Sequence, residues 1–438
     1  MSALFTIAGY EVRATDVWIV ATAAASSVAC GLLGCYLVLR RMSLLGDAIS
    51  HAILPGLALA FIVTHSREPL PMLMGALVVG VATAVTSAGL SRWGKVPEDA
   101  AMGVVFTALF AVGVILITFH AHKVDLDPGC VLYGLLEMVP FDRVSVLGLE
   151  LPRSFAFLSG LLCVLVLLIA LFFKELKIVS FDPYLATTMG INAAVVHYAL
   201  MTGVAATCVA SFEAVGSILV VAMLVAPGAT AHLLTDRLSR MLVISAVVAT
   251  LSAVLGYVMS VVLNTSVAGS ISTVALGLFV LAVVFAPRHG WLPRQWRRLA
   301  LALRITQEDV LGLLYRWQEQ QAAAANPHPP TVREVLEATH SGWLGRVSLF
   351  VLGRRGLVRS SAGALAPTQA GIEVARHVVR GHRLWETYLA KHLAVDPGRV
   401  HSPAHRAEHY LTPGIQASLD QDVGTGQDPH GKPIPPRD

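Results

Sequence analysis

Nine stretches of this chain are long and apolar enough to cross a lipid bilayer, and that requirement restricts the fold more than any other feature. The runs lie at 17–39, 44–64, 70–90, 99–119, 154–173, 193–211, 215–235, 241–263 and 268–287. Each is close to the roughly 20 apolar residues that a spanning helix needs. Backbone groups in lipid must be paired internally, so the expected architecture is an all-α polytopic bundle of about nine spans. The N-terminus carries Glu11, Arg13 and Asp16 before its first run, without a small-residue cleavage site. That run is read as a retained span, not a removed signal peptide.

Charge divides the chain in two. Residues 1–287 hold 13 Lys/Arg and 15 Asp/Glu, whereas 288–438 hold 19 and 13, with ten of the sixteen histidines. The first part is a membrane domain near neutrality, and the second is mildly basic and soluble in character. Arg40-Arg41, Arg92 with Lys95, Lys174 with Lys177, Arg237 with Arg240 and the Arg288–Arg298 cluster fall on one side if the N-terminus is outside. The positive-inside rule therefore predicts an outer N-terminus and a C-terminal domain in the cytoplasm of a multi-pass chain. The five cysteines are scattered without a CxxC pair, which excludes a disulfide framework or thiolate zinc site as the organising element. Gly89…Gly94-Lys95 has phosphate-loop spacing, but Val96 replaces the hydroxyl residue and the stretch follows a span. No nucleotide site and no catalytic constellation is recognisable, so we do not read the chain as an enzyme.

Inside the second run, Asp47 and His51 stand four residues apart. On a helix they share a face one turn apart. Ionisable groups at membrane depth are costly and mark polar function, and a carboxylate with an imidazole suits Mn²⁺, Fe²⁺ or Zn²⁺. From spacing alone, an Asp–His pair that pins helices together fits as well. Pro55-Gly56 just downstream should loosen the helix, as at a midplane substrate site. Glu213 and His232, at the ends of apolar runs, are weaker candidates for the same ion. His120, His122, Asp125, Asp127 and Glu137 in the 120–153 connection are read as a solvated loop.

Four blocks in order resemble the permeases of zinc/manganese/iron ABC importers, over about residues 15 to 290. They are Ser43-Leu-Leu-Gly-Asp-Ala-Ile-Ser-His-Ala-Ile-Leu-Pro-Gly, Phe181-Asp-Pro-Tyr-Leu-Ala, Val215-Gly-Ser-Ile-Leu-Val-Val-Ala-Met-Leu-Val-Ala-Pro and Phe285-Ala-Pro-Arg-His-Gly. The resemblance implies import of a divalent metal (manganese, zinc or iron) across a bacterial cytoplasmic membrane. It implies a second permease subunit (the same chain or a paralogue), cytosolic ATPase subunits that hydrolyse the ATP, and an extracytoplasmic metal-binding protein. It makes Asp47 and His51 the residues of the metal pathway. Residues 174–192 and 236–240, cytosolic on this topology, are the expected ATPase docking surface.

Beyond the spans, 288–304 reads as a basic juxtamembrane linker with Trp291 and Trp296, suited to an anionic inner surface. Helical periodicity over 306–325, helices at 331–339 and 343–355, and a hairpin around Gly363 compose a winged helix-turn-helix domain over 305–367. Helices at 368–393 and 402–411 follow in a metal-binding and dimerisation region over 368–438. Thr368-Gln-Ala-Gly, Gly381-His-Arg-Leu-Trp-Glu, Ala407-Glu-His and Asp428-Pro-His-Gly-Lys-Pro-Ile-Pro resemble the diphtheria-toxin-repressor family of metal-dependent regulators. The resemblance implies an effector metal held by Asp309, His382, His405, Glu408 and His409. His405, Glu408 and His409 also cluster by helical spacing alone. Gly312 stands where manganese-type members carry a carboxylate, and His405 where Cys or a carboxylate is usual. Arg346, Arg354 and Arg355 are the candidate DNA contacts, few against the several cations that phosphate binding needs. Sensing metal for the chain's own transporter is therefore preferred over a membrane-tethered transcriptional regulator.

Overall fold

A computed structural model describes residues 5–7, 10–42, 45–65, 69–120, 134, 136–146, 148–321, 328–361, 363–393, 396–424 and 426–437. The chain forms two compact units, Met1–Pro293 and Arg294–Asp438. The first opens with a small hairpin, β1 (Phe5–Ile7) and β2 (Tyr10–Val12). Helices α1 (Ala14–Leu39), α2 (Leu45–Ala52), α3 (Leu54–Thr64), α4 (Pro69–Gly94) and α5 (Glu98–His120) follow. A second hairpin, β3 (Arg143–Val146) with β4 (Leu149–Pro152), precedes α6 (Arg153–Leu171). Then come α7 (Phe173–Phe181), α8 (Pro183–Thr188), α9 (Ala193–Val215), α10 (Ser217–Leu234), α11 (Leu238–Leu263) and α12 (Val267–Phe285). Among the described residues nine helical segments are long and apolar enough to span, with α2 and α3 together making one of them.

Lipid offers helices no hydrophobic incentive to associate, so close approach and buried hydroxyls must do it. Helix α1 packs against α10 and α11. At its crossing with α10, a Cβ on Gly34 would lie 1.7 Å from the Leu224 carbonyl oxygen. Ser26 donates to Ser211 at 3.0 Å, and Ser245 to the Gly31 carbonyl at 3.0 Å. Gly34→Ala is expected to exceed the usual overpacking cost of about 1–3 kcal/mol, because the obstacle is backbone. Thermal unfolding of the purified protein in detergent should drop clearly; an unchanged midpoint would refute the crossing.

The second span is irregular at Ile53, although helical hydrogen bonds still run from the Ile53 N–H to Ile49 and from the Leu57 N–H to Ile53. Ile53 separates α2 from α3, and Pro55, in the first turn of α3, cannot donate a backbone hydrogen bond. Gly56 meets Gly75 of α4 so closely that a Cβ on either would sit 2.3 or 2.4 Å from the other's carbonyl oxygen. At the end of the last span, Asp236 pairs with Arg288 and, at 3.0 Å, with His289. Those two partners hold its carboxyl below the usual range.

The 120–153 connection is not wholly irregular: a 3₁₀ turn (Leu136–Phe141) and the β3–β4 hairpin occupy its second half. Glu137 is exposed on that turn. His122, Asp125 and Asp127 lie outside the described residues, as do Ser43 and Leu44 of the first permease-like block.

The stretch read as linker, which contains the boundary between the units, is mostly helix. A single α13 (Trp291–Gln321) runs through it. Helix α14 (Val332–Ala338) begins at a capping box in which Thr331 and Glu334 bond reciprocally. Helix α15 (Gly342–Arg354) and the hairpin β5 (Val358–Ser361) with β6 (Ala364–Pro367) complete the winged form. Val310, Leu311, Leu314, Val335, Leu352, Val358, Leu365 and Ala375 are its core. Helices α16 (Gln369–His392), α17 (His401–Ala407) and α18 (Pro413–Val423) follow.

Candidate metal sites

Asp47 and His51 both belong to α2, a short helix wedged between neighbours. On one side a Cβ at Gly46 would reach 2.3 Å from Leu224 of α10. On the other, the His51 ring lies 6.0 Å from both Phe106 and Phe110 of α5, stacked on the first and edge-on to the second. His51 Nε2 stands 3.6 Å from Asp47 Oδ1. Two donors about 2.1 Å from one ion at a tetrahedral angle would be about 3.4 Å apart. The two side chains are 46% and 44% exposed in the single chain, so they are not sealed in its core. Glu213, near the end of α9, and His232, in the last turn of α10, are exposed. Among the described residues neither joins a group of three potential ligands.

The second unit contains two donor groups among its described residues. Asp309, His405, Glu408 and His409 bring one ligand atom each within 4.8 Å of one another, and so do His382, Glu386 and His401. Helical spacing builds both. Asp309 comes from α13, and His401 and His405 sit four apart on α17. Glu408 and His409 follow on a 3₁₀ turn (Glu408–Tyr410), while His382 and Glu386 are four apart on α16. In the first group, His409 Nε2 lies 3.2 Å from Asp309 Oδ1, and His405 Nδ1 lies 2.8 Å from Glu408 Oε1. Glu308 adds a contact from outside, 2.8 Å from His409 Nδ1. In the second, His382 Nε2, His401 Nδ1 and Glu386 Oε1 are mutually 3.0 Å apart.

Glu408 joins the two. Its Oε2 stands 2.6 Å from His382 Nδ1 and 3.4 Å from Arg316, while Oε1 faces His405. Asp309 Oδ1 and His382 Nδ1 are both buried, each facing an oppositely disposed group, His409 Nε2 at 3.2 Å and Glu408 Oε2 at 2.6 Å. Imidazoles and carboxylates converging at these distances can exchange the protons they share for a cation, and such a set suits manganese, iron or zinc.

Electrostatics agrees. Burial pulls the His409 ring down, but hydrogen bonds to Asp309 and Glu308 outweigh it and hold the ring at about 9. Burial pushes Glu386 up, and His382 and His401 overcome it, leaving the carboxyl at about 2. The His409 interaction stabilises the metal-free fold fully below its unfolded pKa of about 6.5, and is lost as pH rises through about 9. A metal must displace that proton. Apparent affinity should therefore climb with pH up to about 9, by at most tenfold per unit. Calorimetry in buffers of different ionisation enthalpy should register the released proton. A pH-independent affinity would remove His409 from the ligand set.

Of the residues expected from sequence, Asp309, His405, Glu408 and His409 converge, and His382 falls in the companion group. Glu386 and His401 are additions that the structure makes. Each lies four residues from an expected ligand, the same spacing that singles out Asp47 and His51. Gly312 offers no donor, and an added Cβ there would meet Val379 at 4.0 Å. Arg346, Arg354 and Arg355 are exposed on or beside α15, and Arg355 reaches Gln307 at 3.4 Å.

Residues 15–286 match the ABC 3 transport family, and residues 368–436 match the iron dependent repressor, metal binding and dimerisation domain. The chain is 44% identical over 285 residues to the manganese transport system membrane protein MntD of Bacillus subtilis (strain 168), covering 65% of this chain and 96% of that one. It is 38% identical over 363 residues to the zinc transport system membrane protein TroD of Treponema pallidum (strain Nichols), covering 82% and 97%. Among solved structures it resembles PsaBC from Streptococcus pneumoniae in complex with Fab, with TM-score 0.55 and 31% identity over 65% of this chain and 96% of that one.

Proposed function

This chain belongs to the ABC 3 transport family, and we propose that it is the permease subunit of an ATP-driven importer of divalent manganese, zinc or iron. Its C-terminal domain senses the same class of ion. The observation that carries the transport reading is the Asp47–His51 pair, two metal-type donors 3.6 Å apart, half-exposed, just before the irregularity at Ile53. Half-exposed ionisable groups at membrane depth belong to substrate pathways, not to lipid-facing surfaces. A carboxylate and one imidazole replace part of the hydration shell, and waters or a second permease copy complete it. So shallow a site binds well enough to admit the ion and loosely enough to release it. ATP hydrolysis comes from separate cytosolic ATPase subunits seated on 174–192 and 236–240. An extracytoplasmic binding protein delivers the cargo on the side of the N-terminus.

In the C-terminal unit, Asp309, His405, Glu408 and His409 hold one effector ion and His382, Glu386 and His401 a second. A bound ion there neutralises the carboxylates and fixes α13, α16 and α17 against one another. Proteoliposomes holding this chain with its ATPase, and supplied with its metal-loaded binding protein, test the whole reading. ATP-dependent accumulation of radioactive manganese, zinc or iron supports it, and no accumulation of any of the three removes it. The winged form of α14, α15 and β5–β6 favours one second reading, a membrane-tethered transcriptional regulator. Metal-dependent retardation of duplex DNA by the full chain in nanodiscs would support that.

A further inference from the structure

Helix α15 turns Gly345, Ser348 and Leu352 inward and leaves its opposite face open. That face carries Trp343, Arg346, Val347, Phe350 and Arg354, spaced i, i+3, i+4, i+7 and i+11 and so confined to roughly a 100° arc. Trp343 is 62% exposed and Phe350 66%. The Arg354 guanidinium lies 6.0 Å from the Phe350 ring centroid, and Arg359 follows on β5, exposed. A helix that enters the DNA major groove presents hydrogen-bonding side chains to base edges and cations to phosphates. This one presents two large rings, Trp343 in its first turn and Phe350 two turns on. Apolar aromatics rimmed by arginine are the composition of a surface that lies in the headgroup region of a bilayer. Tryptophan is at home there, and anionic lipid attracts the arginines. The unit is also tied by its own chain to the apolar spans of the first unit, which keeps a bilayer at high effective concentration around it.

We propose that this face of α15 docks reversibly on an anionic lipid surface. Trp343 and Phe350 enter the headgroup layer, and Arg346 and Arg354 meet lipid phosphates. Occupied by lipid, the face is withheld from DNA, so the winged form serves as a membrane-contact module. The inference rests on the spans crossing a bilayer and is independent of whether Asp47 and His51 carry metal.

The full chain in nanodiscs, which expose both bilayer surfaces, provides the test. Bromine-labelled lipid quenches nearby indoles, and the chain has 7 tryptophans, so the readout is the quenching lost in Trp343→Phe. With bromine-labelled phosphatidylglycerol the wild type should lose more emission than Trp343→Phe. Phe350→Ser and the double variant Arg346→Glu/Arg354→Glu should each at least halve that difference while unfolding at the wild-type temperature. A difference of zero overturns the proposal. So does an equal difference in purely zwitterionic phosphatidylcholine, which would remove the anionic recognition. Duplex DNA retarded by the full chain, with retardation lost in Arg346→Glu and no Trp343 quenching by lipid, would overturn it in favour of nucleic acid. A chain that fails to accumulate metal yet shows the quenching would sink the transport reading and leave this one standing.

Discussion

Asp47→Ala and His51→Ala each bring ATP-driven metal uptake down to the level of liposomes without ATPase, while the complex assembles normally. The expectation follows from how little else the site offers. With one carboxylate and one imidazole on α2, losing either leaves a single protein ligand for an ion that must shed several waters. Exposure of the pair also makes the substitutions mild for folding: no buried charge is orphaned, and the Phe106 and Phe110 rings keep their places on α5. The discriminating variant is Asp47→Asn, which keeps shape and removes charge; it should fail as fully as alanine. Uptake of radioactive metal, normalised to assembled complex, is the measurement. If both alanine variants transport at more than half the wild-type rate, the second span is not the metal path.

Glu408→Ala is the second large effect, and it acts on the other unit. This carboxylate is almost fully buried and lies between two donor groups, with Oε1 toward His405 and Oε2 toward His382 and Arg316. Removing it leaves Arg316 facing a void without that counter-charge, and leaves His382 with Glu386 alone. Breaking a buried charged pair costs about 3–5 kcal/mol, and loss of this ligand should abolish the metal-induced stabilisation that comes from the Asp309, His405, Glu408 and His409 group. By contrast, His401→Ala should leave the Asp309, His405, Glu408 and His409 group able to bind. Thermal unfolding of the full chain with and without added manganese separates the cases. A Glu408→Ala protein that gains as much stability from metal as the wild type would show that this group does not depend on that carboxylate.

The spans are legible in the sequence because apolar length is a local property that tertiary structure does not alter. The irregularity at Ile53 is foreshadowed by Pro55-Gly56 for the same reason: a missing N–H is a covalent fact. Features that need a second element to become visible escape such a reading. Glu386 points to His382 along α16, but its value as a donor appears when α17 brings His401 to 3.0 Å. Helix α18 hides behind Thr412-Pro413-Gly414, which resembles a stop. It is a start, because proline is tolerated in a first turn and Thr412 caps it by accepting from Ile415. The β3–β4 hairpin lies inside a connection whose charges suggest nothing but solvation. Glu213 and His232 show the converse: their residue types invite inclusion, and their exposed positions on α9 and α10 give them no companion donor among the described residues.

The ion pairs of Asp236 with Arg288 and His289 have a mechanical meaning. They fasten the tail of the last span to the turn between α10 and α11, the two helices that grip α1. Each partner is about half open to water or more, so the fastening is cheap to undo and weakens as dissolved salt screens it. The exit from the membrane bundle is thus closed by a clasp, not a weld, and the ionic strength of the surrounding fluid decides how firmly it holds.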